Sequence, residues 1–213
     1  MNIAREQKLL RIQLEEHGVG DPRVLDAIER TRRDLFVPEE VRPQAYDNNA
    51  LPIGCAQTIS QPYIVAVMTQ ALELRGDETV LEIGTGSGYQ AAILAQLCGK
   101  VVTIERLDEL SRRAQRVLAD LGFENIEFRI GDGTLGCPER GPYDGILVTA
   151  AAPHIPEPLY EQLKPTGRMI IPVGDELSQS LLVVERGNGR PVTRELCGCR
   201  FVKLIGRAGW PGP

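Results

Sequence analysis

Leu81-Glu82-Ile83-Gly84-Thr85-Gly86-Ser87-Gly88-Tyr89 is an apolar run that passes without a break into three alternate glycines and then a helical pattern. A short apolar run of this kind reads as a buried strand, and glycines just beyond it allow a tight turn with a ligand close to the backbone. From Thr79 onward short apolar runs alternate with helical stretches, the pattern of a parallel sheet with crossover helices. Strands are predicted over 79–83, 101–105, 126–130, 144–149 and 168–173, with helices near 88–98, 108–121 and 156–163. Segments 178–185 and 199–205 have no helix between them, and Gly187-Asn188-Gly189 marks a turn, which predicts a closing antiparallel pair.

The expected fold class is therefore α/β: a doubly wound, Rossmann-like, mostly parallel seven-stranded sheet with helices on both faces and antiparallel strands at its closing edge. Upstream, Ile3, Leu9, Leu10, Ile12 and Leu14 lie among charges, and Asp21-Pro22 opens a second amphipathic stretch, so a short N-terminal extension of two helices is expected. Residues 30–60 lack periodicity and contain Pro38, Pro43, Pro52 and Tyr46-Asp47-Asn48-Asn49, which reads as a long ordered loop. It leads into Gln61-Pro62 and a helix reaching about Leu74. We read 1–213 as a single domain, with 1–60 as the helical extension and loop and 61–213 as the α/β core.

The 213 residues carry 42% hydrophobic and 25% charged residues, the balance of an ordinary globular chain. A net charge of -5 offers no basic field for a phosphate backbone, so no nucleic-acid partner is expected. The segment from Met1 to Leu14 has no signal-peptide core, and no run approaches the roughly 18 apolar residues of a membrane span, so no membrane partner and a cytoplasmic location are expected. Five scattered cysteines read as reduced thiols rather than a disulfide framework. Cys197 and Cys199 form a C-x-C pair without a second ligand pair at metal spacing, so no metal is expected.

Two acids accompany the glycine loop. The second strand ends in Glu105, placed to accept hydrogen bonds from ribose hydroxyls, and the third ends in Gly131-Asp132-Gly133 on the same edge. A dinucleotide loop has the spacing G-x-G-x-x-G, whereas here Tyr89 stands where its last glycine belongs, and Glu82 is ill suited to a diphosphate. The combination resembles the class I S-adenosylmethionine methyltransferases. That resemblance implies S-adenosyl-L-methionine as cofactor and S-adenosyl-L-homocysteine as product. In it the loop of Glu82, Gly84, Thr85, Gly86, Ser87 and Gly88 holds the amino-acid part, Glu105 and Arg106 the ribose end, and Asp132 and Gly133 the adenine.

Methyl transfer from a sulfonium needs an in-line nucleophile. An amine must shed a proton, whereas a carboxylate with a pKa of roughly 4 is already ionised at neutral pH. Only His17 and His154 are available as histidine bases. Thr149-Ala150-Ala151-Ala152-Pro153 is not the Asn/Asp-Pro-Pro-aromatic pattern of enzymes that methylate base amino groups, which argues against a DNA amino-methyltransferase.

The resemblance narrows on Arg33 through Pro38, Ala45-Tyr46, Gln57-Thr58-Ile59-Ser60-Gln61-Pro62-Tyr63, Pro142-Tyr143-Asp144, Ile171-Pro172-Val173-Gly174 and Phe201-Val202. Together with the glycine loop these segments are similar to the bacterial protein-L-isoaspartate O-methyltransferases over nearly the whole chain. The Thr-Ile-Ser-x-Pro segment discriminates, because many methyltransferases share the loop. The resemblance implies isoaspartyl peptides and proteins as partners, a monomer, Thr58 and Ile59 beside the cofactor, and Ser60 at the methyl-transfer site, where we assign it to orienting the carboxylate. Ser-Gln-Pro before an apolar helix is also a good N-cap. Three departures stand out: Cys55-Ala56 where a glycine is common, Gly136-Cys137-Pro138 in place of Gly-Trp, and Lys203 at a usual proline. A small-molecule O-methyltransferase and an inactive cofactor-binding module remain alternatives.

Overall fold

The computed structural model describes residues 2–188 and 190–212. Two helices open the chain, α1 (Ile3–Glu16) and α2 (Pro22–Arg30); the Asn2 and Asp21 side chains accept hydrogen bonds from first-turn N–H groups, and Pro22 sits where its missing N–H costs nothing. Residues 30–60 are more regular than expected. Two 3-10 turns, Arg33–Phe36 and Glu39–Gln44, precede a hairpin of β1 (Leu51–Gly54) and β2 (Gln57–Ile59), which delivers the chain to α3 (Pro62–Ala71).

The core follows as β3 (Thr79–Ile83), α4 (Tyr89–Ala95), β4 (Lys100–Glu105), α5 (Asp108–Asp120), β5 (Ile126–Ile130), β6 (Tyr143–Val148), α6 (Glu157–Glu161), β7 (Leu163–Gly174), β8 (Gln179–Arg186) and β9 (Pro191–Cys199). The seven-stranded sheet has the order β5-β4-β3-β6-β7-β8-β9, parallel through β7 and antiparallel for the last two pairings. Strand periodicity sorts its side chains onto two faces. Val80, Val101, Leu147 and Ile170 pack with Leu10, Ile28, Met68 and Ile93 of the helices on one face. Leu81, Val102, Ile146 and Met169 pack with Leu159 of α6 on the other. Each such aliphatic side chain contributes about 1.5–3 kcal/mol by leaving water.

The closing pair differs from expectation. β8 pairs with β9 at 191–199, not with 199–205. β9 is an edge strand whose first five residues are exposed, so its polar side chains carry no core-facing alternation to read. Beyond Cys199 the chain turns back to the sheet's carboxyl edge, where Ala151 N–H donates to the Val202 carbonyl and Leu204 N–H to the Ala151 carbonyl, both at 2.8 Å. Gly189 of the expected turn lies outside the described residues. No helix among the described residues is long and apolar enough to cross a membrane.

The strand order reverses at β3, which has β4 on one side and β6 on the other. Their registers align Ile83 with Ile104 and with Val148, so Gly84, Glu105 and Thr149 leave the sheet side by side. Open α/β sheets bind ligands at such a reversal.

Candidate active site

The glycine loop is shaped by close approaches. Gly84 holds φ +93°, and a Cβ there would lie 2.3 Å from Thr149 Oγ1. The Thr149 hydroxyl is shared between the Ile83 carbonyl at 2.9 Å and the Gly84 carbonyl at 2.8 Å, which pins the loop to the end of β6. Gly86 N–H donates to Glu105 Oε2 at 2.9 Å, and Leu107 N–H to Oε1 at 3.1 Å. An ionised carboxylate has about four acceptor positions, so Glu105 keeps capacity for further donors on the cleft side.

One cleft collects most of the residues named from the sequence. Thr58, Ile59 and Ser60 form one lip; Gly84, Thr85, Gly86 and Ser87 form the floor; Glu105, Arg106 and Gly133 close the far end. Ile83, Ile104 and Ile205 supply apolar walls, and Thr149 and Gln90 polar ones. A planar base between aliphatic walls and a ribose against a carboxylate match this chemistry.

Glu82, Gly88 and Asp132 do not line the cleft. Glu82 points into the helix-packed face of the sheet, fully buried, and accepts a hydrogen bond from the Thr103 hydroxyl; its Oε1 has no partner. Burial pushes its carboxyl up to about 8. Thr85 Oγ1 in turn lies 2.7 Å from Thr103 Oγ1, so Glu82 reaches the cleft only through two hydroxyls. Gly88, at φ +89°, is a packing glycine: a Cβ would stand 2.9 Å from Leu118 Cδ1 of α5. Asp132 is occupied internally, accepting from Thr134 N–H at 3.0 Å, from its hydroxyl at 2.6 Å and from Arg207 N–H at 2.8 Å. Burial raises its carboxyl, and these donated bonds outweigh burial and hold it below its ordinary value. It fastens the C-terminal segment, and the adjoining Gly133 is what faces the cleft.

Ser60 sits where this cleft meets a second groove lined by Asn49, Gln61, Ile64, Arg200 and Phe201; Thr58, Ser60, Thr149 and Val202 border both. Ser60 is not the cap of α3. The cap position is Gln61, and Asn48 Oδ1 accepts the Tyr63 N–H at 3.0 Å, which leaves the Ser60 hydroxyl without a hydrogen bond among the described residues.

The sequence singled out Arg33 only as part of a matching segment, yet it organises this lip. Its side chain is fully buried and donates to the carbonyls of Ala45 at 2.5 Å, Asn49 at 3.1 Å and Ser60 at 2.9 Å. No carboxylate pairs with it among the described residues; its guanidinium instead lies 5.5 Å from the Tyr89 ring centre. Burial pulls its pKa down. Neither His17 nor His154 lines either cavity. All five cysteines are free, and among the described residues no cluster of three or more His, Cys, Asp or Glu side chains is placed to hold a metal.

The model of the protein-L-isoaspartate(D-aspartate) O-methyltransferase family matches residues 4–209. The chain belongs to that family. Among its relatives, a protein-L-isoaspartate O-methyltransferase 1 of Syntrophobacter fumaroxidans is 52% identical over 205 residues, 96% of each chain. A protein-L-isoaspartate O-methyltransferase of Syntrophus aciditrophicus is 53% identical over the whole of both chains. A solved protein-L-isoaspartate O-methyltransferase superposes with a TM-score of 0.87 at 30% identity, covering 95% of this chain and 67% of that one. The Plasmodium falciparum protein-L-isoaspartate O-methyltransferase, solved with S-adenosyl-L-homocysteine, shares the fold with a TM-score of 0.82 at 24% identity, over 93% of this chain and 98% of its own.

The three positions singled out in the resemblance fall differently. Cys137 is buried in the core and does not line the cleft; its N–H donates to Gln162 and its carbonyl accepts the Tyr143 hydroxyl. Ala56 occupies the tip of the β1–β2 hairpin and does not line the cleft, though the next residue, Gln57, does. Lys203 lines the cleft, with its ammonium on Glu176 and 5.2 Å from the Trp210 ring centre.

Proposed function

We propose that this chain transfers a methyl group from S-adenosyl-L-methionine to the free α-carboxylate of L-isoaspartyl residues in damaged proteins and peptides. The observation that carries the reading is the Ser60 hydroxyl, without a hydrogen-bond partner among the described residues and placed where the cleft of the glycine loop and Glu105 meets a second groove. In this reading Gly84, Thr85, Gly86 and Ser87 hold the amino-acid end of the cofactor, Glu105 and Arg106 its ribose, Gly133 its adenine, and Thr58 and Ile59 cover it. Glu82, Gly88 and Asp132 act behind them, by setting the loop, its packing on α5 and the C-terminal wall.

The cofactor supplies a methyl carbon made electrophilic by a sulfonium that departs as a neutral thioether. The chain's task is positioning and exclusion of water, because the acceptor oxygen is already anionic at neutral pH and needs no base. The absence of histidine from both cavities agrees with that economy. Ser60 donates a hydrogen bond to the carboxylate oxygen that does not react and so aims the other. The methyl ester carries methoxide, a better leaving group than the oxide of a carboxylate. The neighbouring backbone nitrogen therefore attacks the ester carbonyl, the C–O bond to the methoxy group breaks, and methanol departs with the nitrogen's proton. A succinimide closes, whose hydrolysis returns part of the residue to normal aspartate.

The reading also takes residues 1–213 as one domain, since a single apolar cluster runs from Leu10 of α1 to Val183 of β8. It takes the chain as a cytoplasmic monomer without nucleic-acid partners, the location in keeping with five free thiols and the last with a net charge of -5. The test uses methyl-labelled cofactor and paired peptides differing only in Asp against isoAsp. Labelling of the isoaspartyl member alone is expected; equal labelling, or none, rejects the assignment. Ser60→Ala is expected to lower kcat at least tenfold with the S-adenosyl-L-homocysteine Kd within twofold. An equal loss in both moves Ser60 to the cofactor.

A further inference from the structure

The groove beyond Ser60 must receive whatever chain presents the acceptor carboxylate, because it is continuous with the cofactor cleft through Thr58, Ser60, Thr149 and Val202. Its walls are apolar and neutral polar with one exception. Among the described residues Arg200 is the one formally charged side chain lining it, and no Asp or Glu does, in a protein whose net charge is -5. Arg200 is exposed, and it enters no ion pair or hydrogen bond with another side chain among the described residues. A guanidinium left free at a groove mouth attracts a carboxylate in planar, two-point geometry.

We propose that Arg200 reads an acidic side chain flanking the isoaspartyl residue, making acidic neighbours a preferred sequence context for this enzyme. The proposal rests on the functional reading above. Arg200 is separated along the chain from Val202, which borders both cavities, by the single residue Phe201, so the subsite lies beside the acceptor and not at the reacting atoms. An exposed pair of this kind is weak and screened by salt, which sets a modest effect on peptide affinity and none on the transfer step.

The experiment measures kinetics on isoaspartyl peptides carrying Glu or Gln at each of the two positions on either side, with wild type, Arg200→Gln and Arg200→Glu. Wild type is expected to show a KM about threefold lower for Glu than for Gln at one or more positions, at equal kcat. The ratio falls to one in Arg200→Gln and inverts in Arg200→Glu, while the S-adenosyl-L-homocysteine Kd stays unchanged. Added salt shrinks the wild-type preference. Equal KM for Glu and Gln peptides at every position in wild type overturns the proposal. So does a rise in KM for all peptides alike in Arg200→Gln, which places the arginine on the isoaspartyl carboxylate itself. Both outcomes leave isoaspartyl turnover intact, whereas no labelling of any isoaspartyl peptide removes the functional reading and this one with it.

Discussion

The two lips of the cleft are built by opposite means. The cofactor side rests on strand register and close backbone approach: Gly84 fits under Thr149, Gly133 under Ile83, and Glu105 is carried to the edge by β4. The side read as the acceptor's, residues 33–60, is made of short 3-10 turns and a small hairpin outside the main sheet and hangs on one buried guanidinium that ties Ala45, Asn49 and Ser60 together. Tyr89, whose ring lies near that guanidinium and which begins α4, is the seam between them. A geometry that must hold a constant ligand is specified locally, and one that must admit varied peptides is specified by tertiary polar contacts.

The largest effect expected from this contrast is at Gly84. In Gly84→Ala the new Cβ meets Thr149 Oγ1 at 2.3 Å and the residue must hold φ +93°, so loop and β6 end cannot both keep their places. A loss of about 3–4 kcal/mol in unfolding free energy is expected, with S-adenosyl-L-homocysteine binding weakened at least a hundredfold. Calorimetric titration and denaturant unfolding read the two quantities. Retained cofactor affinity breaks the claim that this lip is set by backbone approach.

Arg33→Met tests the other lip. It leaves three buried carbonyls without their donor, a cost of about 3 kcal/mol. Here turnover on isoaspartyl peptide is expected to fall at least tenfold while S-adenosyl-L-homocysteine affinity changes less than threefold, because all three hydrogen bonds lost belong to the acceptor lip and the one cofactor-side contact is with the Tyr89 ring, which a methionine side chain still packs against. If affinity and turnover fall together, the two lips are one unit and the distinction fails.

The same contrast explains what was legible in the sequence. Gly84, Gly86, Glu105 and the strands that carry them were readable because their determinants are local: an apolar run, a turn residue, a strand end. The hairpin over 51–59 was not, since its tip holds Cys55 and Ala56 at φ 51° and 54° where the usual glycine or asparagine marker is missing. Arg33 lies in the string Arg32-Arg33-Asp34, which reads as solvated surface, and only the tertiary fold shows that Arg32 pairs with Asp34 while Arg33 turns inward. β9 was misplaced because an exposed edge strand needs no apolar alternation. The resemblance placed Glu82 at the amino-acid end of the cofactor, yet strand periodicity puts it on the face opposite Leu81 and Ile83, under the helices.

Glu82 therefore offers a third way to sharpen the comparison. Its folded carboxyl titrates near 8 against an ordinary 4.5, so the folded state holds a proton that the unfolded chain releases. Stability is full below the unfolded value and is lost as pH rises toward the folded one. Relative to Glu82→Gln, wild type is expected to lose about 3 kcal/mol between pH 5 and pH 8, measured by denaturant unfolding across that range. Parallel pH profiles for the two proteins mean that the carboxyl is charged and paired in the fold. Cofactor affinity at pH 7 is expected to change little, since a neutral amide keeps the acceptor for Thr103.

The smallest effect concerns the hairpin tip of the acceptor side. Cys55 and Ala56 form the two central residues of a turn that requires positive φ at both, and an L-residue pays roughly 1 kcal/mol for that conformation. Ala56 is exposed and lines neither cavity, so removing its methyl loses no packing and no ligand contact. Glycine relieves the strain but also loosens the unfolded chain, which offsets part of the gain. Ala56→Gly is thus expected to stabilise the protein by about 0.5 kcal/mol with kcat and KM unchanged. Gly54→Ala, at φ +91° with open space around its Cβ position, is expected to destabilise it, since conformation alone decides there. Opposite signs for these two exchanges locate the cost in the backbone. Equal signs mean that the hairpin adjusts its turn freely, and that the acceptor lip takes its shape from Arg33 and not from β1 and β2.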